Sequence, residues 1–114
     1  MNEDKHITFN DFKKLDIRIG EIKSVEKVPD TDKLLRLEVD LGEENPRQII
    51  SGIAEYFPDI QTLVGKQCPF VANLEPKMIR GLESNGMIMA ASTDTANFSL
   101  LIADSALPAG TKVC

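Results

Sequence analysis

The chain has no tryptophan, one tyrosine and five phenylalanines in 114 residues. Its core must therefore be aliphatic, and any stacking on nucleobases can draw on few rings. Histidine occurs once, at His6, and cysteine twice, at Cys68 and Cys114. That inventory excludes the common Cys/His zinc sites, and the cysteines have neither metal-ligand nor redox spacing, so they read as free thiols of a reducing compartment. No apolar run has the length of a signal sequence core or a membrane span; the expectation is no signal peptide, no membrane segment and a cytoplasmic location. Positive charge is also scarce: 13 bases stand against 18 acids, a formal net charge of −5. This argues against binding of nucleic acid through bulk electrostatics. Residues 1–60 hold nine bases and fourteen acids and the remainder four of each, so the acidic excess lies in the first half. Any contact with a polyanion has to be local, with folding gathering Lys33, Arg36, Lys77 and Arg80 on one face.

Catalytic equipment is missing as well. Ser51 has no histidine or second base placed to activate it, and there is no phosphate-binding glycine loop, zinc-protease helix or distinct carboxylate pair. No catalysis, cofactor or metal is expected of this chain. Its length fits one domain with a modest core, read as a flexible segment over residues 1–8 and a folded unit over residues 9–114.

What is present is a series of short alternating segments. Thr8 followed by Phe9, Asp11, Phe12 and Leu15 predicts a short N-terminal helix capped by Thr8, lying as a lid on a barrel end. From Asp16 to Val28 the pattern is strand-like, with a phase slip across Gly20-Glu21 of the kind that marks a bulged, coiled strand. Pro29 to Asp32 reads as a turn. Leu35, Leu37, Val39 and Leu41 alternate with Arg36, Glu38 and Asp40, predicting a strand with one buried and one wet face. A third strand is expected over Arg47 to Gly52 and a short helix or turn over Ile53 to Phe57, stopped by Pro58. A fourth strand follows over Gln67 to Asn73, then a loop to Gly86, a fifth strand over Met87 to Ser92 and a turn over Thr93 to Asn97. Phe98 to Ala103, apolar on consecutive residues, predicts a strand covered on both faces. The pattern specifies a small all-β barrel and leaves SH3-like barrels and sandwiches open.

The stretch from Asn73 to Ala91 is unlike the rest. It packs Pro76, Lys77, Arg80, Gly81, Ser84, Asn85 and Gly86 ahead of the apolar run Met87 to Ala91, a mixture suited to a shaped functional loop rather than a core strand. Its wording, N-L-E-P with S-N-G-M-I-M-A-A, comes after D-K-L-L at Asp32 to Leu35, S-G-I-A at Ser51 to Ala54 and L-V-G-K at Leu63 to Lys66. Together these closely resemble the tRNA-binding domain that follows bacterial methionyl-tRNA synthetases, over about Phe9 to Cys114. The resemblance implies an OB-fold five-stranded barrel with a C-terminal strand extension. It also implies a non-catalytic module that recognises the outer corner of folded tRNA and aids an aminoacyl-tRNA synthetase, of the methionyl type, in cis or in trans. Free-standing relatives are homodimers, which points to the C-terminal region as a subunit contact. Relatives with the same fold are chaperone-like, so a protein-interaction module is the alternative.

The candidate RNA-binding residues are Lys33, Arg36, Asn73, Lys77, Arg80, Ser84 and Met87. Lys33 and Arg36 would neutralise phosphates or, alternatively, pair with Asp30, Asp32 or Glu38. Asn73 either touches RNA or caps a turn. Lys77 and Arg80 project from a proline-braced loop with few acidic neighbours, although relatives commonly place two adjacent cations there, whereas this chain has Lys77-Met78 with Arg80 further on. Ser84 and Met87 match the S-x-G-M signature, whose serine and methionine face RNA in the family. Met87 and Met89 alternate at strand spacing, so one is expected outside and the other in the core.

Overall fold

The computed structural model describes residues 5–93 and 97–114. A five-stranded antiparallel sheet, in the order β3-β2-β1-β4-β7, curls into a nearly closed barrel. Its strands are β1 (Ile17–Lys27), β2 (Leu35–Asp40), β3 (Arg47–Ser51), β4 (Gln67–Val71) and β7 (Met87–Ile88). β2 forms as its alternation predicts: Leu35, Leu37 and Val39 are buried, and Arg36 and Glu38 lie on the other face. β1 is long because it serves two partners. Residues 17–21 pair with β4 and residues 21–27 with β2, which turns the barrel's corner.

The ladder irregularity of β1 falls between Ile22 and Ser24, slightly after the slip expected at Gly20-Glu21. Gly20 is glycine for want of space: a Cβ there would lie 2.7 Å from Val39 Cγ1 and 2.8 Å from both Leu41 Cδ2 and Phe70 Cδ1. The core these residues share is aliphatic around one ring, with Ile22, Leu35, Leu37, Ile49 and Leu63 packed about Phe70. Cys68 is buried in it, and desolvation pushes its thiol up to about 11, so it stays protonated and inert at neutral pH.

The ends of the barrel depart from expectation. Helix α1 (Phe9–Lys13) forms with the foreseen cap, Thr8 Oγ1 accepting from the Asp11 amide at 3.0 Å. It buries no residue, and Phe9 is 72% exposed, so it is not a lid. The plug is instead the segment after β3, whose 3-10 turns at Ala54–Tyr56 and Ile60–Leu63 send Leu63 into the core. The second of these turns has no helical period of its own.

The loop expected between Asn73 and Gly86 contains a β-hairpin, β5 (Lys77–Ile79) with β6 (Leu82–Ser84). The strand expected over Met87 to Ser92 breaks at Met89 into β7 and β8 (Ala90–Ser92), and β8 pairs with β9 (Phe98–Leu100) in a separate two-stranded sheet. The turn expected over Thr93 to Asn97 crosses residues 94–96, outside the described residues, as do Met1 to Asp4 of the N-terminal segment. β9 is shorter than expected, and the apolar residues that follow it are not fully covered by the described residues: Leu101 is 39% and Ile102 50% exposed.

The C-terminal extension is an irregular segment rather than a strand, with one bridge between Arg18 and Lys112. It runs along the first half of β1, where β2 has already left. The Gly110 amide donates to Ile19 O at 2.7 Å, Ile19 N to Thr111 O at 2.8 Å and Val113 N to Ile17 O at 2.8 Å. Gln67 anchors its start, donating to Leu107 O at 2.6 Å and accepting from Leu107 N at 3.0 Å.

Candidate nucleic-acid interface

The tip of the β5-β6 hairpin is a two-residue turn, Arg80-Gly81, with φ of 53° and 80°. Two successive positive values indicate a type I′ hairpin turn, where asparagine or glycine usually takes the first position. An arginine there carries a left-handed backbone cost of about 1–2 kcal/mol. Strain of that kind held at an exposed tip is a pointer to function.

Arg80 reaches across to the loop between β1 and β2. It lines one surface groove together with Asp30, Thr31, Asp32, Lys33 and Leu34. Folding thus brings Lys33 and Arg80 together from opposite halves of the sequence. Both are exposed, and neither forms an ion pair among the described residues, despite the two aspartates in the groove. Lys77, at the hairpin's base, is likewise exposed and without such a pair. Met87 is 49% exposed on the outer side of β7, while its neighbour Ile88 points into the core. Met89 is half-buried, so the core member of this run is the isoleucine rather than a methionine.

The other candidates are committed elsewhere. Arg36 pairs with Glu26, its Nε donating at 2.9 Å, and its NH1 donates to Gln48 Oε1 at 3.2 Å. The partner is a carboxylate on the adjoining strand rather than Asp30, Asp32 or Glu38, because Glu26 is its register mate. Asn73 is a structural cap: Oδ1 accepts from Asp16 N at 2.9 Å and Nδ2 donates to Lys14 O at 2.7 Å. Ser84 is 5% exposed, and its Oγ accepts from the Ile50 amide at 2.9 Å across the barrel seam. That bond joins the hairpin to β3 where no regular ladder closes the sheet. Gly86, at φ 134°, is crowded from inside, since a Cβ there would lie 3.1 Å from Val71 O and 3.2 Å from Ile49 Cδ1.

Three residues not singled out by sequence stand in or beside this surface. Lys27 lines a second groove with Pro29, Arg36 and the hairpin residue Leu82; its nearness to the Pro29 turn was the only sequence cue. Met78 is 65% exposed on the hairpin's outer face opposite Glu83. Arg47 sits at the hairpin's root. Its Nε and NH2 donate to Glu43 at 2.8 and 2.7 Å, and its NH1 donates to Ala72 O at 2.5 Å and Asn85 O at 3.4 Å. The Arg47 hydrogen bond holds the Glu43 carboxyl below its ordinary range, and Arg18, bonded to Asp16 at 3.0 Å, does the same for that carboxylate. All four groups are charged at neutral pH.

No three histidine, cysteine or carboxylate side chains cluster as a metal site among the described residues. None of the helices there is long and apolar enough to cross a membrane.

Comparison with known proteins identifies the family. Residues 17–112 match the family model described as "Putative tRNA binding domain". The methionine–tRNA ligase of Streptococcus pneumoniae serotype 4 is 46% identical over 114 residues, 99% of this chain but 17% of the ligase. The chain thus spans about a sixth of the curated relatives it matches. Among solved structures, a methionyl-tRNA synthetase-related protein from Pyrococcus horikoshii superposes with a TM-score of 0.89 at 35% identity, covering 97% of this chain and 100% of that one. The chaperone CsaA from Bacillus anthracis gives 0.84 at 31% identity, with coverage of 96% and 99%. The nearly closed barrel, its braced hairpin and these matches together show that the chain belongs to the tRNA-binding domain family related to the C-terminal domain of methionyl-tRNA ligases.

Proposed function

We propose that the chain is a non-catalytic module that grips folded tRNA by its backbone and raises the tRNA affinity of an aminoacyl-tRNA synthetase, of the methionyl type, to which it is fused or docked, in the cytoplasm. The observation that carries this reading is the groove shared by Lys33 and Arg80, two exposed cations without carboxylate partners among the described residues. Lys14, Arg18, Lys23, Arg36 and Arg47 are paired, whereas Lys5, Lys13, Lys27, Lys66, Lys77 and Lys112 also form no ion pair among the described residues, so the shared groove is what sets Lys33 and Arg80 apart. An acidic protein can hold a polyanion where a few unpaired cations share one surface, while its exposed ion pairs contribute little.

Lys33, Lys77 and Arg80 are assigned to phosphates, with Arg80 suited to a bidentate grip, and Met87 supplies an adaptable apolar contact with sugar or base. Arg36, Asn73 and Ser84 act behind this surface, holding the strands and hairpin that present it. Binding of this kind tolerates sequence, since phosphate contacts position without reading bases and folded RNA is recognised largely by shape. With about three or four phosphates neutralised, the log-log salt slope for tRNA binding should be about −2 to −4. Retention of labelled tRNA across a salt series measures it, and no retention at low salt removes the reading.

Self-association through the C-terminal region belongs to the same proposal. Tyr56, Leu101, Ile102 and Leu107 are 38–50% exposed, and Tyr56 stacks on Phe98 at 4.0 Å beside them. Covering these side chains in a second copy would give each tRNA two joined sites and a gain in avidity. Light scattering should report twice the chain mass at tens of micromolar; a monomer there counts against it.

The same apolar surface, with the likeness to a chaperone, favours a second reading as a protein-interaction module. Loss of tRNA binding on removal of Lys33 and Arg80 distinguishes the two.

A further inference from the structure

The β5-β6 hairpin that carries Lys77 and Arg80 has only three residue pairs of its own, too few to fix its direction in water. What orients it is its attachment to the barrel. On the exit side three bonds tie it to β3: Asn85 N to Gln48 O at 2.9 Å, Gln48 Nε2 to Glu83 O at 2.9 Å and Ile50 N to Ser84 Oγ at 2.9 Å. On the entry side Asn73 is held to the chain before β1 by its bonds to Lys14 and Asp16.

Arg47 alone, among the described residues, hydrogen-bonds both ends: its NH1 reaches Ala72 O at the entry and Asn85 O at the exit. Its remaining fork is filled by both oxygens of Glu43. From these bonds we infer that Arg47, oriented by Glu43, is a positioning residue: it clasps the two roots of the hairpin, sets where Lys77 and Arg80 stand, and so governs RNA affinity without contacting RNA.

Three features separate this role from those of a phosphate ligand and of a simple surface ion pair. The guanidinium is neutralised by a carboxylate on both Nε and NH2, so it adds little field at Lys33, Lys77 and Arg80. Its side chain is 26% exposed, turned toward backbone carbonyls rather than solvent. Both carbonyls it serves belong to the segments where the hairpin leaves and rejoins the barrel, so losing it breaks the side-chain link between the two roots while each keeps its separate bonds. A lysine cannot replace it, because one ammonium cannot match a bidentate carboxylate and bridge two carbonyls together.

The inference rests on the tRNA-binding reading for its consequence, but the clasp itself can be observed in the free protein. Arg47→Lys, Arg47→Met and Glu43→Gln are compared in the otherwise natural chain and in a Lys77→Ala/Arg80→Ala background, by tRNA retention at one low salt concentration. Hydrogen exchange of the free proteins is followed over residues 77–84, with β1 and β2 as internal references. Arg47→Lys and Arg47→Met are expected to weaken binding about tenfold in the natural chain and less than about twofold in the background lacking the hairpin cations. Hairpin amides should exchange about tenfold faster while β1 and β2 keep their protection, and Glu43→Gln should fall between these variants and the natural chain.

Equal weakening in both backgrounds would make Arg47 an RNA contact and overturn the inference. So would unchanged exchange in the hairpin, or full retention of affinity by Arg47→Lys. If Arg47→Met does not fold, Arg47→Lys and Glu43→Gln decide. If the natural chain binds no tRNA, the functional reading has failed, and hairpin exchange still decides whether the clasp exists.

Discussion

Replacing Lys33 and Arg80 together with alanine is expected to weaken tRNA binding about 100-fold, from two phosphate contacts worth about 1.4 kcal/mol each. The salt slope should become less negative by about 1.4–1.8, since each lost phosphate contact removes about 0.7–0.9. Thermal stability should hardly move. Neither side chain is buried and neither pairs with a carboxylate among the described residues, so removing them leaves no orphaned partner. Arg36→Ala provides the contrast, because that side chain holds Glu26 and Gln48 and its loss acts through the strands rather than on RNA. Arg80→Asn sharpens the test. Asparagine adopts the left-handed turn conformation more readily than arginine, so this variant should stabilise the hairpin while losing affinity, the trade expected where strain serves binding. Undiminished affinity in the Lys33/Arg80 double variant would remove the groove these two cations share as the basis of recognition.

Gly110→Ala should be among the most damaging single substitutions in the chain, and Gly65→Ala makes its control. Both glycines have φ of 91°, so an added Cβ brings the same intrinsic cost of about 1–2 kcal/mol at each. Their surroundings differ. Gly65 has nothing within 4 Å of the added atom, whereas at Gly110 it would lie 2.6 Å from Leu41 O and 3.1 Å from Gly42 Cα. The obstruction is backbone, which cannot rotate away, and it lies where the C-terminal segment crosses the end of β2. Relief requires the segment to lift, sacrificing bonds from Gly110, Ile19 and Val113 that cover the edge of β1. A loss of about 3 kcal/mol or more follows, against about 1–2 for Gly65→Ala. At about 4–8 °C per kcal/mol, thermal unfolding monitored at equal protein concentration should separate the two clearly. Equal midpoints would mean that the crossing is soft and the C-terminal segment contributes little to the fold.

The residues show why some features could be read early and others could not. Leu35 to Leu41 was legible because a period of two survives any tertiary context in which one face is buried, and Thr8 because its capping bonds lie within three residues. The fate of α1 was not legible: whether Phe9 is covered depends on what another part of the chain, or another molecule, places over it. The two strands between Asn73 and Gly86 could not be delimited because their turn is Arg80-Gly81, where the usual signal is asparagine or aspartate before glycine. Ser84 was misplaced for a related reason. The S-x-G-M resemblance places this serine toward RNA, but here its hydroxyl completes a seam that has no backbone ladder, a contact 34 positions away in sequence that no local spacing encodes.

Composition and pattern by themselves pointed to a small all-β fold with an aliphatic core, leaving barrel and sandwich open, argued against the common Cys/His zinc sites and bulk electrostatic binding, and located the stretch on which the tRNA-binding resemblance rests. These properties depend on residue types and short spacings, which a linear chain already contains. Which cations stay unpaired was decided only by the tertiary structure. Lys33 and Arg80 stand 47 positions apart in sequence yet share a groove, while Arg36, three residues from Lys33, is tied to Glu26 by strand register. Charge pairing depends on distance in space, and that distance is set by how the barrel closes rather than by any local run of residues.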